Sequence, residues 1–443
     1  MARKKGLVVA LVIAIVGGLL LFVTKPPVNL IDVPINTSGE GAAELETSEA
    51  PAVSGFYDPG KWTPKGPGTL IKAEPVQGAP KGVKAYRVMY ESTDLQNNPL
   101  PVTGLYVAPD KTAPAGGFPL VSYAHGTTGV GRMCGMSQTP FTPNTPGITG
   151  WTPHYGPMVE EGWAVFASDY SGMGAPGPSS YLVGPLEGRG VIDGMRAVQN
   201  PAASIGDVPI NKNKLGIYGK SQGGEAALSA AQLLPTYAPE LNVGGTVALA
   251  PGFTPALAGI LNTVAKNPTS TTQNMFVLLI AKSFADNYPE LVNLDEMLTP
   301  LGKEKIKLLD TKCGNALTKE VSDVPLSQLL NVPIPNGIVE ALGIAMPGNV
   351  KIEHPTMILQ GLKDKTILPQ FTHAQVMSQC AVGTELYYVR YKNDDHPSLN
   401  YQAREHNPSA IDYLEDRWAG EPAPHNCANQ LLGTAQLASG VDQ

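Results

Sequence analysis

The chain reads as an α/β protein, with a mostly parallel central sheet, helices on both faces and a helical cap inserted over one edge. Three observations predict this. Short apolar runs alternate with helical patterns along most of the 443 residues. One such run ends in Tyr218-Gly219-Lys220-Ser221-Gln222-Gly223 and passes directly into an alanine-rich helical stretch. Between about 251 and 350 the alternation stops and the pattern turns mainly helical.

The chain opens with Arg3, Lys4 and Lys5, followed by an uncharged apolar segment from Leu7 to Val23. At ~1.5 Å per residue that segment is about 25 Å long as a helix, close to the thickness of a bilayer core. It reads as a membrane anchor or a signal segment over residues 1–24, with membrane contact through this stretch. Either reading puts the body of the protein outside the cytoplasm. A Pro-, Ser-, Thr- and Gly-rich spacer covers 25–54, and 55–443 forms the folded domain with the insertion at about 251–350.

Composition narrows the class. Hydrophobic residues make up 42% and charged residues 16%, enough to bury a large core, and 48 Gly with 41 Pro imply many tight turns. A net charge of -7 excludes a nucleic-acid surface, which needs a basic footprint. Cys134, Cys313, Cys380 and Cys427 contain no CxxC pair and no His at metal-site spacing, so no metal site is expected. In an oxidising compartment they predict two disulfides, with three pairings open.

Along the folded part, VKAYRVMYES and PVTGLYVAP read as paired strands ahead of the main sheet. FPLVSYAHG, GWAVFASDY, KLGIYG, VGGTVALAP, TMILQG and ELYYVRY follow as short buried strands. Between them, GVIDGMRAVQNPAAS, GEAALSAAQLLPTY and PQFTHAQVMSQC carry helical patterns. The insertion is helical in AGILNTVAKNP, TTQNMFVLLIAKSFADNY and PLSQLLNVPIPNGIVEALGIAM. In such sheets the chemistry gathers beyond the C-terminal ends of the strands.

Gly219 and Gly223 around Ser221, between a strand and a helix, define a nucleophile elbow. The sharp turn lifts the hydroxyl above the sheet, and the small flanking residues let neighbouring elements approach. Gln222 then opens the helix, where its backbone N–H and the helix N-terminus favour negative charge on a carbonyl oxygen. A serine hydroxyl needs a base. Among the later histidines, His396 lies in a loop directly after the strand ELYYVRY. His354 precedes a strand, His373 falls in a helix, and His406 and His425 come too far along. The acid is Asp364, in the loop after TMILQG; VALAPGF offers no carboxylate, and Asp394 and Asp395 suit solvent contact or capping. The loop Ser122 to Gly135 supplies a second anion donor at Thr127, with Gly126 beside it, and His125 reads as structural.

Taken together, YGKSQGG, the HGTTG loop, SDYSGMG, QGLKDKTILP and DDHPS resemble the secretory lipase family over roughly residues 55 to 430. The resemblance implies an α/β-hydrolase fold, a cofactor-free and metal-free triad of Ser221, Asp364 and His396, a lid made from the helical insertion, and a lipid or ester substrate. It also implies that Cys134 pairs with Cys313 and Cys380 with Cys427. Lys220 departs from the pattern by placing a cation beside the nucleophile; facing the pocket, it would alter acyl-chain preference. The expected activity is triacylglycerol hydrolysis through an acyl-enzyme. The alternatives are an esterase or acyltransferase on short-chain or cell-envelope acyl esters, and a non-catalytic binding module on the same fold.

Overall fold

The computed structural model describes residues 52–200, 205–252, 274–345, 350–399 and 409–428. The apolar segment Leu7–Val23, most of the spacer and the AGILNTVAKNP part of the insertion lie outside these residues. Among the described residues no helix is long and apolar enough to cross a membrane.

Nine strands form one sheet: β1 (Leu70–Pro75), β2 (Val83–Thr93), β3 (Pro99–Pro109), β4 (Phe118–Ala124), β5 (Ala164–Ser168), β6 (Ile210–Lys220), β7 (Val243–Leu249), β8 (Thr356–Gly361) and β9 (Leu386–Tyr391). Their spatial order is β1-β2-β3-β5-β4-β6-β7-β8-β9. The first three strands and the β3–β5 pair run antiparallel; every pairing from β5 through β4 to β9 is parallel. The chain steps from β4 to β5 on one side and returns to β6 on the other, which makes the β4/β6 gap the switch point where such sheets place their sites.

Register lines up the C-terminal ends. Ala124 of β4 pairs with Gly219 of β6, Lys220 with Leu249 of β7, Leu249 with Leu359 of β8, and Gly361 with Tyr391 of β9. The loops leaving β4, β6, β8 and β9 therefore share one edge. These strands read as continuous apolar runs because both faces are covered. On one face helices α1 (Gly184–Gln199) and α2 (Gln222–Tyr237) bury Val191, Ile192, Ala226, Ala227 and Ala230 against the sheet. On the other face the helix Ala410–Ala419 buries Ile411, Tyr413 and Leu414, and Trp418 packs against Trp163.

Between β7 and β8 the described chain is helical, with α3 (Asn274–Asn287), α4 (Gly314–Val321) and α5 (Asn336–Ala345) as its longest pieces. They enclose an apolar core of their own, including Leu278, Phe284, Leu317, Leu329 and Leu342. That core is closed from below by Val130, Tyr181, Val183 and Leu186 of the sheet body.

Two boundaries differ from expectation. Strand β1 is not visible as an apolar run, because LIKAEP is an outer strand with no fully buried residue. Helix α1 starts at Gly184, six residues before the pattern is legible, since Gly184, Gly188 and Gly190 dilute its helical signal.

Both disulfides pair as the family resemblance implies: Cys134–Cys313, 179 residues apart, and Cys380–Cys427, 47 apart. The first ties the loop after β4 to the helical insertion. Loop-closure entropy grows with the logarithm of loop length, so the longer bridge restrains the unfolded chain more, by about 1 kcal/mol. Replacing Cys134 and Cys313 together by Ser is expected to lower unfolding stability by about 2–5 kcal/mol, and by more than the corresponding Cys380/Cys427 pair. Urea denaturation of the two double variants checks the order.

Candidate active site

Ser221 sits between β6 and α2 with φ 59° and ψ -120°. A non-glycine residue held there is strained by roughly 1–3 kcal/mol and needs surrounding structure to keep it in place. The surroundings are specific. The Ser221 N–H donates to Leu249 O at 2.8 Å, and Ser221 O accepts from the N–H groups of Gly224 (2.9 Å) and Gly252 (3.0 Å). Close approach on both sides requires glycine. A β carbon on Gly219 would lie 1.9 Å from Gly223 O, and one on Gly223 would lie 1.9 Å from Ala124 O. Gly219 and Gly223 thus let β6, α2 and the end of β4 meet around the serine.

The loop after β4 comes to the same point. A β carbon on Gly126 would lie 3.5 Å from Lys220 O and 3.9 Å from the Ser221 β carbon. The backbone N–H groups of Gly126, Thr127 and Gln222 have no hydrogen-bond partner among the described residues. The Thr127 hydroxyl bonds the Tyr181 hydroxyl at 3.0 Å. His125 is buried, bonds Gly126 O through Nδ1 at 2.6 Å and packs on Tyr170; burial pushes its pKa down to about 4, so it stays neutral and structural.

Asp364 and His396 are brought together by a lock between their loops. Leu362 N–H donates to Tyr391 O at 2.9 Å and Lys363 N–H to Asp394 O at 2.8 Å. The buried Asp364 carboxylate accepts the Thr366 and Ile367 N–H groups on Oδ1, both at 2.8 Å. Its Oδ2 accepts the His396 Nδ1–H at 2.7 Å. That bond sets the tautomer and leaves Nε2 as the basic nitrogen. Asp395 is used in a turn, accepting the Ser398 N–H at 2.9 Å, in keeping with a capping role.

The histidine loop also reaches the elbow: Lys220 Nζ donates to Pro397 O at 3.4 Å, so the residue before Ser221 contacts the residue after His396. Lys220 is hemmed in there, and burial lowers its pKa to about 8 against the opposing pull of Asp364, Asp395 and Asp394. The cation therefore turns toward the histidine loop. Ser221 Oγ itself bonds no described residue.

Several residues that sequence reasoning did not single out hold the anion loop. Asp169, from the SDYSGMG stretch, is fully buried and accepts from Thr103 Oγ1 (2.7 Å), Ser137 N–H (2.8 Å) and Ser137 Oγ (2.5 Å). Burial raises its pKa. Tyr170 donates its hydroxyl to His125 O at 2.9 Å. The motif itself was the signal, but its partners lie 32 to 66 residues away in sequence.

Nine mostly parallel strands, helices on both faces, a helical insertion and a serine turn at the switch point make this an α/β-hydrolase fold. The structure of Candida antarctica lipase A in its closed state is similar, with TM-score 0.65 and 19% identity over 83% of this chain and 89% of that one. The rice cell wall degrading esterase LipA from Xanthomonas oryzae gives TM-score 0.62 and 16% identity, over 80% and 97%. A family model described as Secretory lipase matches residues 154–426, and the chain belongs to that family. Among its relatives, a protein called probable inactive lipase MT1628 from Mycobacterium tuberculosis is 25% identical over 83% of this chain and 82% of its own length. The secreted triacylglycerol lipase LIP3 of Malassezia restricta is 23% identical over 92% and 89%. Membership places the chain among lipid ester hydrolases.

Gly219→Ala forces a side-chain carbon into a backbone oxygen, and is expected to cost more than about 3 kcal/mol or to prevent folding. Gly343→Ala in α5 is the contrast, since nothing lies within 4 Å of its would-be β carbon. It is expected to be neutral or to stabilise by up to about 1 kcal/mol. Thermal unfolding of both variants tests the pair.

Proposed function

We propose that the protein is an extracytoplasmic carboxylic ester hydrolase that acts on triacylglycerols through a Ser221-His396-Asp364 triad. The reading is carried by the 2.7 Å bond from His396 Nδ1 to Asp364 Oδ2, in a loop that touches the Ser221 turn through Lys220 and Pro397. Ser221 Oγ attacks the ester carbonyl carbon while His396 Nε2 takes its proton. Asp364 holds the imidazole and steadies its charged form. The oxyanion is received by the Gln222 N–H at the start of α2 and by the Thr127 N–H, with Gly126 alongside. His396 then protonates the departing alcohol, leaving the acyl group on Ser221. A water deprotonated by the same nitrogen releases the fatty acid.

Family membership and the activity in the Malassezia relative's name support the lipid substrate. Retention of serine, aspartate and histidine in this order favours an active enzyme, although one relative carries the name of a probable inactive lipase. Two disulfides and the basic-then-apolar start of the chain support a place outside the cytoplasm. The helices between β7 and β8 are assigned the role of a lid, because their core rests on Val130, Tyr181 and Leu186 beside the anion loop.

Ser221→Ala is expected to abolish hydrolysis of p-nitrophenyl esters, a loss of about 10⁴-fold or more, with the thermal transition unchanged. A fluorophosphonate probe is expected to label the parent and not the variant. Asp364→Asn should lose about 10⁴-fold in kcat and label correspondingly more slowly. An unlabelled parent points to a binding module, and a rate on emulsified triacylglycerol that never exceeds the rate on soluble short-chain esters points to an esterase.

A further inference from the structure

Helices α1 and α2 begin near one another, and each carries a glutamate in its first turn, Glu187 and Glu225. Both side chains are fully buried. Glu187 Oε1 accepts from Gln222 Nε2 at 2.5 Å and from the Leu182 N–H at 3.2 Å. Glu225 Oε1 accepts from Ser229 Oγ at 2.8 Å. The second oxygens, Glu187 Oε2 and Glu225 Oε2, have no donor among the described residues.

Among the described residues the charged and titratable surroundings offer no neutralising partner. Tyr170 and Tyr181 approach from the chain ahead of α1, and Tyr288 from the end of α3. All three are phenols whose pKa burial raises, so they remain neutral. No lysine, arginine or histidine forms an ion pair with either glutamate among the described residues. Two adjacent ionised carboxylates in such a place repel one another and forfeit hydration. The two side chains lie within hydrogen-bonding reach of one another, and one proton between them turns the repulsion into a hydrogen bond. The single remaining charge then faces the N-termini of two sixteen-residue helices, which favour it.

We propose that Glu187 and Glu225 share one proton and act as a positioning pair for the oxyanion site, fixing Gln222 by its side-chain amide so that its backbone N–H stays aimed at the substrate carbonyl. This rests on the ester-hydrolase reading above. Burial raises the pKa of both carboxyls, and the charge of Glu225 raises that of Glu187 further. Losing the shared proton restores the repulsion at the anchor of Gln222. It also adds a negative charge at the helix end that must receive the oxyanion. The linkage has a definite sign. A carboxyl whose folded pKa lies above its unfolded value stabilises the fold fully below about pH 4.5, and that contribution is lost as pH rises through the folded value.

Glu225→Gln supplies a permanent amide donor to Glu187 and removes the titration. Against its own acid-side plateau, the alkaline arm of its kcat profile is expected to move up by about one pH unit or more. Its thermal midpoint relative to the parent is expected to rise between about pH 5 and pH 8. Infrared spectra at about pH 6 should show a buried protonated-carboxyl band in the parent that is missing from Glu225→Gln. An alkaline arm that stays in place, or a parent spectrum without the band, overturns the proposal. If Glu225→Gln does not fold, the parent alone decides: the band must disappear over the same pH range in which kcat falls. A parent that hydrolyses no ester defeats the functional reading, while the band and the stability profile still judge the pair.

Discussion

Everything at the site depends on how closely three backbones can approach at the end of β6. Gly219 touches Gly223, and Gly223 touches the carbonyl of Ala124, at distances no β carbon tolerates. Because those contacts are backbone to backbone, they hold Ser221 at positive φ without help from its side chain, and the hydroxyl stays available for chemistry. The same approach brings the start of α2 and the loop after β4 to either side of the serine. In the proposed mechanism, nucleophile and anion donors are thus consequences of one packing arrangement.

That constraint explains what could be read from the residues. The elbow is local: strand, glycine, serine, glycine and helix lie within a single stretch, so its spacing is visible. Asp364 and His396 are distant from Ser221 in sequence, but parallel strands place their following loops on one edge, and only one histidine directly follows a late strand. The rule of topology, and not proximity, is what nominates them. The pairings of the four cysteines were open from spacing and followed only from the family resemblance. Strand β1 was hidden because an outer strand half in contact with solvent needs no apolar run.

What escaped reading shares a different trait. Asp169, Tyr170, Glu187 and Glu225 are polar residues whose significance lies in being buried. A carboxylate in a sequence looks like surface, and burial is decided by which helices pack over it. Glu225 lies in an alanine-rich stretch that reads as an ordinary amphipathic helix, and its partner is 38 positions earlier in another helix. No spacing rule joins them. The oxyanion loop has the same character: it is steadied by Asp169 through Thr103 and Ser137, residues that belong to two separate parts of the chain.

Charge balance around Ser221 follows from these buried groups. On one side the Lys220 ammonium faces Asp364, Asp394 and Asp395, its pKa lowered by the burial those carboxylates only partly offset. On the other side the glutamate pair lies at two helix N-termini. A transition state that puts negative charge on the substrate oxygen and positive charge on His396 separates those charges along the same direction. In the proposed mechanism the imidazolium forms nearest Asp364, and the oxyanion forms at the start of α2. A second negative charge on the glutamate pair would oppose only the latter. With the proposed pairing, alkaline conditions act on the site from behind the oxyanion, through groups that never touch the substrate, as well as at Lys220 beside the serine.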